Sequence, residues 1–211
     1  INYFDYNTVI IIGGKNIKNY KPLTEFVANK GGLILFPSSK SSLNEFNTFL
    51  VNLGLPKATE NKGGLGNKTG YGFGTIDFEH PVFYELFEKG KKPVVNTPDI
   101  FNYFKLSSGL FGRNVIEMED KSPFLVEYTN NNSKVLVFNA APTLNWSNFV
   151  IKSIFAPIIN RSVFYLTAIS DKQEEFFAGE QLYINIGDNF AGSVELHKGN
   201  GNNEKISVDS L

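Results

Sequence analysis

Two short apolar runs, each followed by a turn sequence, constrain the fold of this chain most strongly. Residues 8–14 read TVIIIGG, and residues 33–39 read LILFPSS. Uninterrupted apolar runs of this length are typical of strands that are covered on both faces, as in a parallel sheet. Between the two runs, Pro22 can open a helix that the glycines at 31–32 close. The segment therefore predicts a strand–helix–strand unit of an α/β fold.

The helix that follows the second run is the best-specified element of the sequence. Ser42 and Glu45 have the spacing of a capping box, in which the hydroxyl and the carboxylate satisfy free amides at the helix start. Gly54 marks the end of this helix. Apolar residues recur on one face of it: Leu43, Phe46, Leu50 and Leu53.

The rest of the chain changes character towards its end. The glycine-rich residues 61–74 predict a loop, and residues 81–88 a short helix. Residues 124–139 carry two apolar runs around an Asn-rich turn and predict a hairpin. Residues 146–166 predict a helical stretch that Pro157 kinks or splits.

From Gly179 onward the apolar residues alternate, which predicts three half-buried strands of a meander between residues 182 and 208. We therefore expect two domains. Residues 1–168 form an α/β domain, and residues 169–211 form the start of a β-sandwich module.

Composition excludes several functional classes. Hydrophobic residues make up 42% of 211 residues, which is enough for a packed core, and the net charge of -1 gives no basis for binding nucleic acid or an anionic membrane. The absence of cysteine excludes disulfides, thiolate catalysis and cysteine-based metal sites. Residues 149–169 have the length of a membrane span, but Lys152 and Arg161 interrupt them, so a buried helix is expected instead. No cofactor is predicted.

The turns after the two apolar runs hold the candidate ligand-binding residues. Backbone amides at Gly13, Gly14 and Lys15 can form a nest for an anion, although glycines there also serve a turn that needs positive φ. Ser38 and Ser39 follow the second strand, where open α/β sheets place ligands and nucleophiles.

A catalytic serine at this position needs a base, and the sequence offers little. The chain has two histidines, His80 and His197, and neither lies in a recognisable catalytic motif. His80 precedes a proline, where a helix-capping role is expected, and Asp77 and Glu79 beside it are too common a pattern to predict a metal site. Residues 66–69, GNKT, lack the strand and helix that a phosphate-binding loop requires.

Taken in order, seven segments resemble the class I glutamine amidotransferase-like domain of BatA-like, aerotolerance-operon-type bacterial membrane proteins. They span most of residues 7–166. The matching segments are residues 7–14, 25–37, 43–56, 80–83, 122–125, 134–138 and 146–159.

This resemblance implies a flavodoxin-like, three-layer sandwich whose first strand would precede Ile1 or be missing. It also implies a parent protein with N-terminal membrane helices and often a von Willebrand factor A domain. Catalytic members of that fold carry a cysteine at the strand–turn–helix elbow and a His-x-Glu pair. This sequence has neither, and only Ser38 or Ser39 stands at the elbow.

We therefore expect a non-catalytic module in the soluble, periplasmic region of a bacterial membrane protein. Its partners would be other envelope proteins or domains of the same polypeptide, in an interaction or scaffolding role. Contact with the membrane would occur only through segments outside this chain. The alternative is a small-molecule or sugar-binding domain, or a weak serine-dependent hydrolase, that uses the strand-end crevice near Gly14 and Ser38.

Overall fold

A computed structural model describes residues 1–63, 70–84, 86–87, 93–130 and 133–170, and the backbone of residues 192–197 and 203–208. The chain divides into two compact units, Ile1–Lys172 and Gln173–Leu211. The predicted boundary after residue 168 falls inside the last helix of the first unit, which continues to Ser170.

The described strands are, in chain order, β1 (Thr8–Ile12), β2 (Gly32–Phe36), β3 (Glu60–Lys62), β4 (Phe73–Ile76), β5 (Tyr103–Lys105), β6 (Gly112–Met118), β7 (Pro123–Asn130), β8 (Ser133–Phe138), β9 (Gly192–His197) and β10 (Asn203–Val208). Six of them form one sheet in the order β1-β2-β8-β7-β6-β4. β1, β2 and β8 are parallel, whereas β7, β6 and β4 add antiparallel pairs. The predicted α/β class is therefore confirmed, with a mixed sheet.

The described residues contain three α-helices: α1 (Lys21–Ala28), α2 (Leu43–Asn52) and α3 (Phe155–Ser170). Pro22 lies in the first turn of α1, and Ser42 and Glu45 form the predicted capping box of α2. The predicted kink at Pro157 is wrong, because this proline is the third residue of α3, where its missing N–H has no intrahelical partner to lose.

Several loops differ from the sequence-based expectation. The predicted loop at 61–74 includes the end of β3 and the start of β4. The described residues of the predicted helix 81–88, which are 81–84 and 86–87, include the 3₁₀ turn Pro81–Phe83 and no α-helix. Two more 3₁₀ turns are Tyr3–Asp5 and Phe149–Ile151. The β7–β8 hairpin is confirmed, whereas residues 66–69 lie outside the described part of the chain.

Two neighbouring glycines show that helices cover both faces of the sheet. A Cβ at Gly31 would lie 2.3 Å from the ring of Phe26 in α1, and a Cβ at Gly32 would lie 2.6 Å from Leu166 in α3. Because successive residues of an extended chain face opposite sides, α1 and α3 lie on opposite faces. Within the described residues, no helix has the length and apolar character needed to cross a bilayer.

Stacked aromatic rings fill the core beside α3. Phe36 of β2 and Phe138 of β8 stack with their centroids 4.2 Å apart. Phe124 and Phe149 pack edge to face against each other at 5.1 Å, and both contact Phe138. These four rings are almost fully buried, so they fix the parallel strands against the loop that leads into α3.

The second unit contains the antiparallel pair β9 and β10, in register from Gly192 opposite Val208 to His197 opposite Asn203. The predicted strand at 182–186 lies outside the described residues. The assignment of the second unit to a β-sandwich stays a prediction.

Candidate functional site

The carboxyl ends of β1 and β2 meet at one edge of the sheet and form a crevice of about 350 Å³. Because the two strands are parallel and adjacent, the turns that follow them lie side by side. Four of the five predicted binding residues line this crevice: Gly13, Gly14, Lys15 and Ser38. Three further polar residues that the prediction did not include also line it: Asn16, Lys40 and Ser41.

Two glycines allow the turns to approach closely. Gly13 has φ +76°, and its N–H donates to the Phe36 carbonyl at 2.7 Å. A Cβ there would lie 2.9 Å from the Cβ of Ser38. At Gly14 a Cβ would lie 2.6 Å from the ring of Phe49 in α2. The crevice therefore depends on glycine at both positions.

The two lysines of the crevice differ in their surroundings. Lys15 Nζ lies 3.3 Å from Glu45 Oε1, and the two side chains are 79% and 40% exposed. The backbone amide of Ser42 and then Lys15 lower the pKa of Glu45. Lys40 is exposed and forms no ion pair with any described residue. Among the described residues, the crevice thus has one lysine that pairs with a carboxylate, Lys15, and one that does not, Lys40.

Ser38 and Ser39 have structural roles in the turn. The amide of Lys40 donates to Ser38 Oγ at 3.3 Å, and the amide of Ser41 donates to the Ser38 carbonyl at 3.0 Å. Trp146 Nε1 donates to the Ser39 carbonyl at 3.3 Å, and Ser39 does not line the crevice. Within the described residues, no imidazole or carboxylate hydrogen-bonds to either hydroxyl.

Both ring nitrogens of His80 have hydrogen-bond partners outside the crevice. Its Nδ1 accepts a hydrogen bond from the Val82 amide at 3.2 Å, which confirms the predicted capping role. The ring proton therefore lies on Nε2, which donates to Glu127 Oε2 at 3.1 Å. Asp77 pairs with Arg113 instead. The structure does not bring Asp77 and His80 into one site, and no group of metal ligands occurs within the described residues.

Glu127 joins His80 to a buried polar cluster that the sequence analysis missed. Lys134 Nζ lies 3.2 Å from Glu127 Oε1, and it also hydrogen-bonds to the hydroxyl of Tyr165. Burial raises the pKa of Glu127, but hydrogen bonds from His80 and Tyr165 and the charge of Lys134 lower it to about 2. Burial and the adjacent Glu127 raise the pKa of Tyr165. The signal in the sequence was a lone carboxylate in the apolar strand β7.

The fold and the crevice define this protein as an α/β domain with a strand-end pocket. No family model matches the chain, and no curated protein matches it. Two solved structures from Salmonella typhimurium are similar in fold. Cytoplasmic Protein STM3548 is 15% identical with a TM-score of 0.58, covering 76% of this chain and 72% of its own. Cytoplasmic Protein STM1381, from strain LT2, is 16% identical with a TM-score of 0.53, covering 78% and 71%.

These neighbours correct one expectation. Both are named as cytoplasmic proteins, which contradicts the membrane-associated, periplasmic location that the sequence resemblance implied. The resemblance rested on short segments, and such segments indicate an α/β fold without recording the compartment in which it folds.

Proposed function

We propose that this chain is a non-catalytic α/β domain that binds a small polar ligand with an anionic group in the crevice at the ends of β1 and β2. The single observation that carries the proposal is the convergence of Gly13, Gly14, Lys15, Ser38 and Lys40 on one pocket. Ligands of open α/β sheets bind at this end of the strands. Phosphate and carboxylate groups are suited to lysine ammonium and backbone amide donors.

The non-catalytic part of the proposal is supported by the partners of the candidate groups. A serine nucleophile needs a base that accepts its proton. Ser38 Oγ accepts from a backbone amide, and His80 is buried between Val82 and Glu127. A weak serine-dependent hydrolase is therefore the less favoured use of the same crevice.

The experiment is a thermal-shift titration with inorganic phosphate. We expect phosphate to raise the melting temperature of the wild-type chain, and Lys40→Gln to remove most of that rise. Lys57→Gln is the matched control, because Lys57 is also exposed but lies outside the crevice. An equal rise in the melting temperature of the wild type and of both variants would refute the crevice as the binding site. A p-nitrophenyl acetate hydrolysis that the Ser38→Ala/Ser39→Ala variant abolishes would refute the non-catalytic assignment.

We retain an interaction or scaffolding role as a second proposal, with other proteins or domains of the same polypeptide as partners. It is favoured by Ile10 and Ile12 on β1, which are 43% and 59% exposed. Apolar side chains on an open sheet edge are a common docking surface. If the role is right, the chain in a cell lysate elutes as part of a larger complex, and Ile12→Lys shifts it to smaller size.

We also propose that the first unit, Ile1–Lys172, has a variant of the flavodoxin-like, amidotransferase-like fold, and that it acts in the cytoplasm. The parallel set β1, β2 and β8, with helices on both faces, supports the fold assignment. The names of the two structural neighbours support the compartment.

A further inference from the structure

Among the described strands, β1 lies at the edge of the six-stranded sheet and pairs only with β2. The Asn7 carbonyl accepts from β2 at 2.8 Å, and the Gly13 amide donates to β2 at 2.7 Å. In a parallel ladder, alternate residues of a strand bond to the same neighbour. The N–H and C=O groups of the odd-numbered residues of β1 therefore point towards β2. The residues whose N–H and C=O groups point to the open edge are Thr8, Ile10 and Ile12.

The side chains of this edge carry none of the features that block strand pairing. Thr8 Oγ1 lies 3.0 Å from Thr167 Oγ1, so Thr8, Ile10 and Ile12 share the face that α3 covers. α3 does not reach the last two, which remain 43% and 59% exposed. Natural edges are usually interrupted by a charge, a proline or a bulge, and β1 has none of these. A groove of about 480 Å³ runs along β1, and its other walls include Tyr3, Tyr6 and Ile17.

We propose that β1 pairs antiparallel with β1 of a second copy of this chain, centred on Ile10. Ile10 then lies opposite Ile10 of the second copy, and Thr8 lies opposite Ile12. All three residues are the ones whose backbone groups face outward, so the register forms about six new main-chain hydrogen bonds. Such a two-fold contact closes on itself and yields a dimer.

The charges that flank β1 favour a second copy in this orientation. Asp5 precedes the strand, and Lys15 and Lys18 follow it. Antiparallel self-pairing brings the acidic end of one copy to the basic end of the other, twice in each dimer. Parallel self-pairing would place like charges together. The charges that flank β1 are therefore complementary to those of a second copy in the antiparallel orientation.

The inference rests on the interaction role proposed above and names its partner. A single chain has a mass of 23.6 kDa. Light scattering on the purified full chain, over a concentration series, should give twice that mass. Ile10→Pro removes an outward N–H and leaves the bonds to β2 intact. Ile12→Lys adds a charge to the edge. Each should raise the dimer dissociation constant at least about tenfold. Leu110→Lys, at a residue that is 94% exposed elsewhere, should leave it unchanged.

Cross-linking tests the register, because the wild-type chain has no cysteine. Oxidised Ile10→Cys should form an interchain disulfide, since directly opposed residues lie about 5.5 Å apart at Cα. Ile12→Cys should not, because its two copies are offset by about 13 Å along the strands. Circular dichroism checks that each variant is folded, and Ile12→Lys remains informative if Ile10→Pro does not fold.

A wild-type chain that is monomeric at every concentration would overturn the inference. So would a dimer that Ile12→Lys leaves intact, or equal cross-linking at positions 10 and 12. A purified monomer that still forms a larger, Ile12-dependent complex in lysate would overturn self-pairing and leave the interaction role standing. A monomer in both settings would overturn both.

Discussion

Replacing Glu127 with glutamine should remove a large part of the acid sensitivity of this fold. The pKa of Glu127 falls from 4.5 to about 2, because its partners outweigh the burial that opposes ionisation. Each pKa unit corresponds to 1.36 kcal/mol. The shift is thus worth roughly 2–3 kcal/mol, after a reduction for solvent screening at Lys134, whose side chain is 28% exposed.

The sign of the effect follows from the direction of the shift. A carboxyl with a lowered pKa in the folded state stabilises the protein above its unfolded pKa, and this contribution disappears as the pH falls towards the folded value. The wild-type chain should therefore lose roughly 2–3 kcal/mol from this group between about pH 5 and about pH 2. Glu127→Gln keeps an oxygen for the His80 N–H but has no charge to lose, so it should be less stable at neutral pH.

Urea unfolding followed by circular dichroism, repeated over this pH range, measures the difference in unfolding free energy between wild type and Glu127→Gln. The difference should be largest near neutral pH and shrink towards zero in acid. Glu25→Gln is the control, because its pair with Lys21 is exposed at both partners and is worth less than about 0.5 kcal/mol. A wild-type–variant difference that stays constant across the pH range would refute the reasoning.

Two further substitutions test the turns that build the crevice. Ser42→Ala removes the hydroxyl that accepts from the Glu45 amide at 3.2 Å. In urea titrations it should lower the unfolding free energy by about 1 kcal/mol. Ser41→Ala should lower it less, because Ser42 and not Ser41 caps the helix. Gly14→Ala forces a methyl group against Phe49 and should cost about 1–3 kcal/mol; a melting temperature equal to that of wild type would contradict the packing described for this glycine.

Local patterns in the sequence predicted the parts of the fold that local physics determines. The capping box at Ser42, the first-turn position of Pro22 and the β7–β8 hairpin are all confirmed. In each of these, residues close in the sequence satisfy one another's hydrogen bonds or backbone requirements. The same reasoning placed Gly13 and Ser38 at neighbouring turns, because parallel strands bring their carboxyl ends together.

Contacts between distant segments could not be predicted in this way. The His80–Glu127 pair joins residues 47 positions apart, and its partner Tyr165 comes from α3. Pro157 was expected to disrupt a helix because the sequence did not show that the helix starts only two residues earlier. β6 went unpredicted because its polar residues, such as Arg113 and Asn114, interrupt the alternating pattern that identifies a strand.

Amide NMR spectra recorded during a titration with inorganic phosphate show, residue by residue, whether the crevice at the ends of β1 and β2 binds an anion. We expect saturable shifts of the amide signals of Gly14, Lys15, Ser38 and Lys40, and their loss in Lys40→Gln. Shifts that spread evenly over exposed lysines such as Lys57, or no shifts at all in these two turns, would contradict binding at the crevice.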